Sequence, residues 1–305
     1  MTGSGPRRVV VAGGTGLVGQ SLVRSLLDQD AQVTVLTRNP ARAELPAAAH
    51  AHGWEDLPAL LDGADAVINL AGEGIADQRW SLARKAAIRD SRILATRRLV
   101  EAMKDCRQPP GALVNASAIG YYGARDRTPV DEAAPQGVGF LPEVCQAWEA
   151  EAAAASAIGV RVARIRIGVV LARDGGALPK MALPVRLWLG CKLGSGAQGL
   201  SWIHLDDLVA MFLEAARNPA WEGPFNGTAP EPLGNEAFTD LLARRLRRPL
   251  LPVPGALTAA AAKLALGEMA TALLLQGAYV VPTRAQALGF GYQFPTAVSA
   301  LEDLL

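Results

Sequence analysis

The segment from Val9 to Leu27 constrains the fold of this chain more than any other. Val9-Val10-Val11-Ala12 is a short continuous apolar run, the pattern of a strand buried on both faces. Gly13-Gly14-Thr15-Gly16-Leu17-Val18-Gly19 follows at once, and Leu22, Val23, Leu26 and Leu27 then recur at helical spacing. Strand, glycine turn and helix, in that order, form the context in which a glycine triplet reads as a dinucleotide cradle. Gly13 permits the tight turn off the strand, Gly16 lets the backbone approach a pyrophosphate, and Gly19 lets the helix pack closely on the sheet. Thr15, Leu17 and Val18 complete the loop and first turn, whose free N–H groups and positive dipole end suit phosphate.

The next strand, Gln32 to Leu36, ends in Thr37-Arg38. NAD-selective folds carry an acid at this tip to accept the adenosine ribose hydroxyls, but the first acid here is Glu44. Arg38 offers instead a planar cation that can bind a 2′-phosphate and stack on adenine, so NADP(H) is the expected cofactor.

Further strands are expected at 66–70, 112–116 and 161–170, with helices at 82–104 and 143–157 between them. That alternation predicts an α/β fold, a Rossmann doubly wound parallel sheet with a smaller C-terminal substrate lobe. Residues 1–170 form the NADP-binding domain, to which 200–228 return through a strand near 224–228. Residues 171–199 and 229–305 form the lobe, and the substrate cleft lies between the two. The block Ser201 to Leu208 reads as a strand running into a helix capped by an aspartate.

Thirty basic residues against 29 acidic ones give a net charge of +1, which argues against a nucleic-acid partner. Cys106, Cys145 and Cys191 are far apart and odd in number, which suits a reducing compartment and gives neither a disulfide framework nor metal spacing. Residues 1–8 contain no apolar run of a secretory leader, and Lys263 and Glu268 interrupt the most apolar late stretch. A cytoplasmic protein acting on a small molecule, without membrane or metal, is the expectation.

Taken together, several motifs resemble the extended short-chain dehydrogenases/reductases of the sugar-nucleotide epimerase type. They are the glycine loop, Asn69-Leu70-Ala71-Gly72, Ser117 with Tyr121-Tyr122-Gly123, and Trp202-Ile203-His204-Leu205-Asp206-Asp207. Within that superfamily the chain is similar to the atypical epimerase-family proteins that carry a C-terminal domain of unknown function. The marks are Glu73 after Gly72, Arg79-Trp80, Ser91-Arg92, Trp148-Glu149 and Gly267-Glu268-Met269. The resemblance implies that Thr37 and Arg38 meet the adenosine ribose phosphate and that Leu70, Ala71 and Gly72 line the cofactor. It also implies that Arg92 and Arg166 approach its phosphates or nicotinamide half. By the same analogy, two copies would pair through the helices 82–104 and 143–157.

Ordinary members transfer protons with a Tyr-x-x-x-Lys pair, the lysine lowering the tyrosine pKa, and an upstream Ser or Thr orients the substrate. The residues four places after the tyrosines are Arg125, Asp126, Thr283 and Thr296, and the chain has only five lysines. By position the pair falls near Phe140 or Leu141 and Val144 or Cys145, none of which can do this work. Two readings stay open. In one, an NADP-dependent oxidoreductase or epimerase acts on a hydroxylated small molecule, nucleotide-linked or not. Ser117 with Tyr121 or Tyr122 would then be catalytic, and Arg125 the cation near Tyr121. In the other, the chain is a catalytically silent NADP(H)-binding sensor or scaffold. Asp131-Glu132 read as a solvated turn or helix start, and His204 as a structural histidine.

Overall fold

Seven strands pair side by side in parallel to make one sheet in the computed structural model, which describes residues 7–305. The first six residues, on which the expectation about a leader partly rests, lie outside the described residues. The strands are β1 (Arg8–Ala12), β2 (Gln32–Leu36), β3 (His50–His52), β4 (Ala66–Asn69), β5 (Ala112–Ala118), β6 (Arg161–Ile167) and β7 (Gly223–Gly227). Their spatial order is β7-β6-β5-β4-β1-β2-β3, so the chain winds outward from β1 in one direction and returns to β4 to wind in the other. That reversal opens a crevice above the carboxyl ends of β1 and β4, where sheets of this type bind ligands.

Helices cover both faces, which is why the central strands are apolar on both sides. On one face α1 (Leu17–Leu27) and a helix at Leu205–Arg217 press Leu22, Val23, Leu26, Met211 and Phe212 onto Val9, Val11 and Ile68. On the other, α2 (Leu82–Lys104) and α3 (Phe140–Ala153) set Leu99, Met103 and Ala152 against Val10, Ala12 and Val67. A third cluster joins Leu171, Leu178, Trp202, Phe238, Leu242 and Leu301, drawn from the segments after β6 and after β7. No described helix is long and apolar enough to cross a membrane.

The observed elements depart from the expected ones at particular residues. The strand expected over 161–170 divides at Gly168, where an added Cβ would lie 2.7 Å from the Ser201 carbonyl oxygen. Val169–Ala172 then leave the main sheet to pair with Trp202–His204. The edge strand β3 has exposed histidines and no apolar alternation to announce it. The helix expected from Glu143 starts at Phe140, after Gly139 at φ 114°. The helix Leu205–Arg217 is capped by His204, whose Nδ1 accepts from the Asp206 N–H at 3.1 Å, and not by an aspartate.

Candidate functional site

Above the switch point, Gly13 at φ +80° turns so tightly that a Cβ there would meet the Leu70 carbonyl oxygen at 2.7 Å. A Cβ on Gly19 would lie 2.3 Å from the Gly13 oxygen, so the helix can pack this closely only because Gly19 lacks a side chain. Gly16 is different. It and Thr15 are exposed at the loop tip, and a Cβ on Gly16 would meet nothing nearer than the Gly13 oxygen at 3.6 Å. The open backbone there, at the start of α1, fits a pyrophosphate. Leu17 packs on the turn at Gly175-Gly176, and Val18 on the sheet.

The loop after β4 forms the opposite wall. Buried Asn69 donates to Thr96 at 2.8 Å and Asn115 at 2.7 Å, and its Oδ1 accepts from the Ala71 N–H at 3.1 Å, which fixes Leu70 and Ala71 beside Ala12. Trp148 Nε1 donates to the same Thr96 hydroxyl at 2.9 Å. Ser91 Oγ accepts from the Glu73 N–H at 3.0 Å. The Arg92 guanidinium lies against Gly72, where a Cβ would come within 3.1 Å of it, and 5.3 Å above the Trp148 ring. Burial lowers the Arg92 pKa, and among the described residues its one hydrogen-bond acceptor is the Ile88 carbonyl at 2.9 Å. This is a cation with donors to spare at the wall of the crevice.

Arg38, 88% exposed at the tip of β2 beside Thr37, pairs with Glu73 at 3.1 Å. Arg84 holds the other Glu73 oxygen at 2.9 Å. Hydrogen bonds from Arg84 first and Arg38 second keep the Glu73 carboxyl below its ordinary pKa.

Ser117, Tyr121 and Tyr122 come together at the end of β5 around one buried ion pair. Arg166 donates through Nε and Nη2 to the Glu149 carboxylate at 2.8 and 3.0 Å, and Ser117 Oγ donates to the same carboxylate at 2.7 Å. Arg166 Nη1 donates to the Tyr122 hydroxyl at 2.9 Å, and that hydroxyl donates to Asn226 Oδ1 at 2.7 Å. Both hydrogen-bonding roles of the fully buried Tyr122 are thus filled, and burial pushes its pKa up to about 12. Tyr121 is only half-buried, and the Arg166 guanidinium lies 3.6 Å from its ring centroid.

The structure therefore sets Arg166 inside the protein, against protein partners. Arg125, the cation expected near Tyr121, is engaged elsewhere, donating to the carbonyls of Tyr122 and Pro135. Leu141 and Cys145 stand against Gly120, and none of Phe140, Leu141, Val144 and Cys145, near the expected positions of the usual Tyr and Lys, is a phenol or an amine, Cys145 alone carrying a thiol. Burial raises that thiol to about 12.

The chain matches the NAD dependent epimerase/dehydratase family over residues 9–226 and the domain of unknown function DUF1731 over residues 257–304. It is 41% identical to a chloroplastic SDR39U1 homolog of the epimerase family from Arabidopsis thaliana, over 97% of this chain and 86% of that protein. An epimerase family protein of Staphylococcus saprophyticus is 39% identical, over 98% and 99% of the two chains. This chain belongs to the NAD dependent epimerase/dehydratase family. Among solved structures, that of the human epimerase family protein SDR39U1 (isoform 2) with NADPH superposes at a TM-score of 0.86. It has 33% identity over 97% of this chain and 98% of that one. The fold is the Rossmann-type α/β fold of NAD(P)-binding epimerases.

Against that family background, the unassigned marks acquire places. Glu149, noted in the sequence only as part of the Trp148-Glu149 mark, anchors Ser117 and Arg166. Glu132 is not in a solvated turn but buried, accepting from the backbone N–H groups of Asn226 at 2.9 Å and Arg284 at 3.2 Å. Arg79 approaches Gly267, and Lys85 pairs with Glu268 at 2.7 Å while lying 4.8 Å over the Phe140 ring. The Gly267-Glu268-Met269 turn thus fastens the C-terminal domain to the start of α2. His204 is buried, stacked on Phe294 at 3.9 Å.

Proposed function

We propose that this protein binds NADP(H) in the crevice above β1 and β4 and uses it as an oxidoreductase or epimerase on a hydroxylated small molecule. The observation that carries the reading is the open backbone at Gly16 flanked by two under-committed arginines, Arg38 at the adenosine end and Arg92 at the wall opposite. Gly13, Thr15, Gly16, Leu17, Val18 and Gly19 would receive the pyrophosphate, Thr37 and Arg38 the 2′-phosphate, and Leu70, Ala71 and Gly72 the cofactor's flank. The human relative solved with NADPH supports the choice of phosphate.

The bound cofactor would supply hydride exchange with a substrate carbon. Tyr121 is the residue best suited to hold the matching proton, because its phenol is half-exposed while those of Tyr122 and the hydroxyl of Ser117 are spent internally. Arg166, stacked 3.6 Å from its ring centroid, holds that ring in place against the end of β5. Ser117, Tyr122 and Glu149 then act as positioning residues. The segments 171–199 and 229–305 would form the lobe closing over the substrate.

Arg38→Asp is expected to weaken NADPH by about 10- to 100-fold while leaving NADH within a few-fold. Equal loss for both would remove the 2′-phosphate argument. For turnover, NADPH oxidation is followed over a panel of carbonyl compounds and sugar nucleotides, with Tyr121→Phe as the variant that should be silent. The absence of a Tyr-x-x-x-Lys pair from the sequence favours a second reading, a cofactor-binding sensor. Tight NADPH binding with no oxidation anywhere on the panel would support that one.

A further inference from the structure

Arg38 follows β2 and Glu73 follows β4, and both strands pair with β1, one on each side. Their ion pair therefore spans the carboxyl end of β1, across the adenosine end of the crevice. The sequence lacks an acid at the tip of β2, but the fold supplies one from the neighbouring wall. Glu73 is held firmly: Ser91 takes its backbone N–H and Arg84, only 12% exposed, takes one carboxylate oxygen. Arg38 is held weakly, since a pair with an 88% exposed partner has little net worth.

From this geometry we infer that Glu73 is a specificity determinant of the dinucleotide site, a carboxylate standing where the 2′-phosphate of NADPH must go. The inference rests on the NADP(H) reading above. A 2′-phosphate that takes the same Arg38 Nη1 donor displaces Glu73, and one that takes the free donors still lies beside a carboxylate that Arg84 keeps in place. The like-charge contact lowers NADPH affinity. NADH brings no phosphate, and an acid or an amide at position 73 can accept from its ribose hydroxyls equally well. Glu73 thus narrows the gap between the two cofactors that Arg38 opens.

The test is the dissociation constant of NADPH and of NADH for the full chain and for Glu73→Gln, which keeps the shape and removes the charge. Asp77→Asn is the matched control, because Asp77 lies 3.7 Å from the far side of Arg84 and carries the same charge. Glu73→Gln is expected to tighten NADPH by about 5- to 10-fold with NADH unchanged within about twofold, and Asp77→Asn to change either by less than about twofold. An unchanged or lowered NADPH preference in Glu73→Gln overturns the inference while leaving the NADP(H) reading intact. So does an equal gain in Asp77→Asn, which would mark a general charge effect. A parent chain that binds neither cofactor overturns both.

Discussion

Tyr122 is the residue where burial and chemistry can be read against each other. Its phenol has a pKa of about 12 in the folded protein, raised chiefly by burial and only partly offset by Arg166. A raised folded pKa means the folded state holds its proton more tightly than the unfolded chain, whose tyrosine titrates near ~10. The stabilisation is therefore complete below pH ~10 and is lost as pH rises through about 12, up to roughly 2–3 kcal/mol. Urea unfolding between pH 9 and 12 should show a steeper loss for the parent than for Tyr122→Phe; parallel curves would contradict it. At this scale the sequence spoke unevenly. Gly13, Gly16, Gly19 and Arg38 were legible because each answers a local demand of the turn or the strand tip. Glu73 and Glu149 were noted as marks of the resemblance but without a role, because their partners, Arg38 and Arg166, come from elements 35 and 17 positions away and meet them only once parallel pairing is made. Ser117 and Tyr122 stood out in the sequence as catalytic candidates but not as interior residues. Only the contacts with Glu149, Arg166 and Asn226 reveal that their hydroxyls are already used.

Among the elements, the β1–α1 unit separates two kinds of glycine that look alike in sequence. Gly19 faces the Gly13 oxygen at 2.3 Å from its virtual Cβ, whereas Gly16, with φ −78° and ψ 172°, has ordinary backbone and open space. Gly19→Ala is expected to cost about 1–3 kcal/mol through overpacking and to lose NADPH binding with it. Gly16→Ala should leave the unfolding midpoint unchanged while weakening NADPH, because its methyl group intrudes only where the pyrophosphate approaches. Paired chemical-denaturation and cofactor-titration curves decide this, and a Gly16→Ala chain that binds NADPH normally would place the phosphates elsewhere. The same contrast explains how far the fold could be read. Buried strands such as Val9–Ala12 and Ala66–Asn69 announce themselves by unbroken apolar runs, and α2 was found with both ends where they stand. The break at Gly168 was hidden, since its cause is the Ser201 carbonyl 33 residues on, and β3 was hidden because an edge strand with two exposed histidines carries no apolar period.

For the molecule as a whole, the question is whether the C-terminal segments unfold with the sheet or apart from it. The ties are side chains that reach across to backbone groups. Asp207 accepts from the N–H groups of Gln293 at 2.7 Å and Phe294 at 3.0 Å, and Asn226 donates to the Val281 carbonyl at 2.9 Å. Ser201 takes the Val280 N–H at 2.7 Å and gives its own proton to the Ala278 carbonyl at 2.8 Å. All three side chains are buried, and losing the C-terminal segments would leave buried polar groups unpaired, at about 1–3 kcal/mol each. Partial unfolding is thus costly, and the chain should melt in one transition. The proposed cofactor contacts lie on the loops after β1, β2 and β4 and on α1 and α2, so binding acts on the sheet and these two helices and not on the C-terminal segments. A ligand at 100 times its dissociation constant stabilises the folded state by about 2.7 kcal/mol. For a chain of 305 residues that moves the midpoint by about 4 °C. Because the segments are coupled, NADPH should shift the entire calorimetric transition by that amount, C-terminal segments included. Two transitions, of which only one moves with NADPH, would show that the buried hydrogen bonds of Asp207, Asn226 and Ser201 do not couple the segments to the sheet.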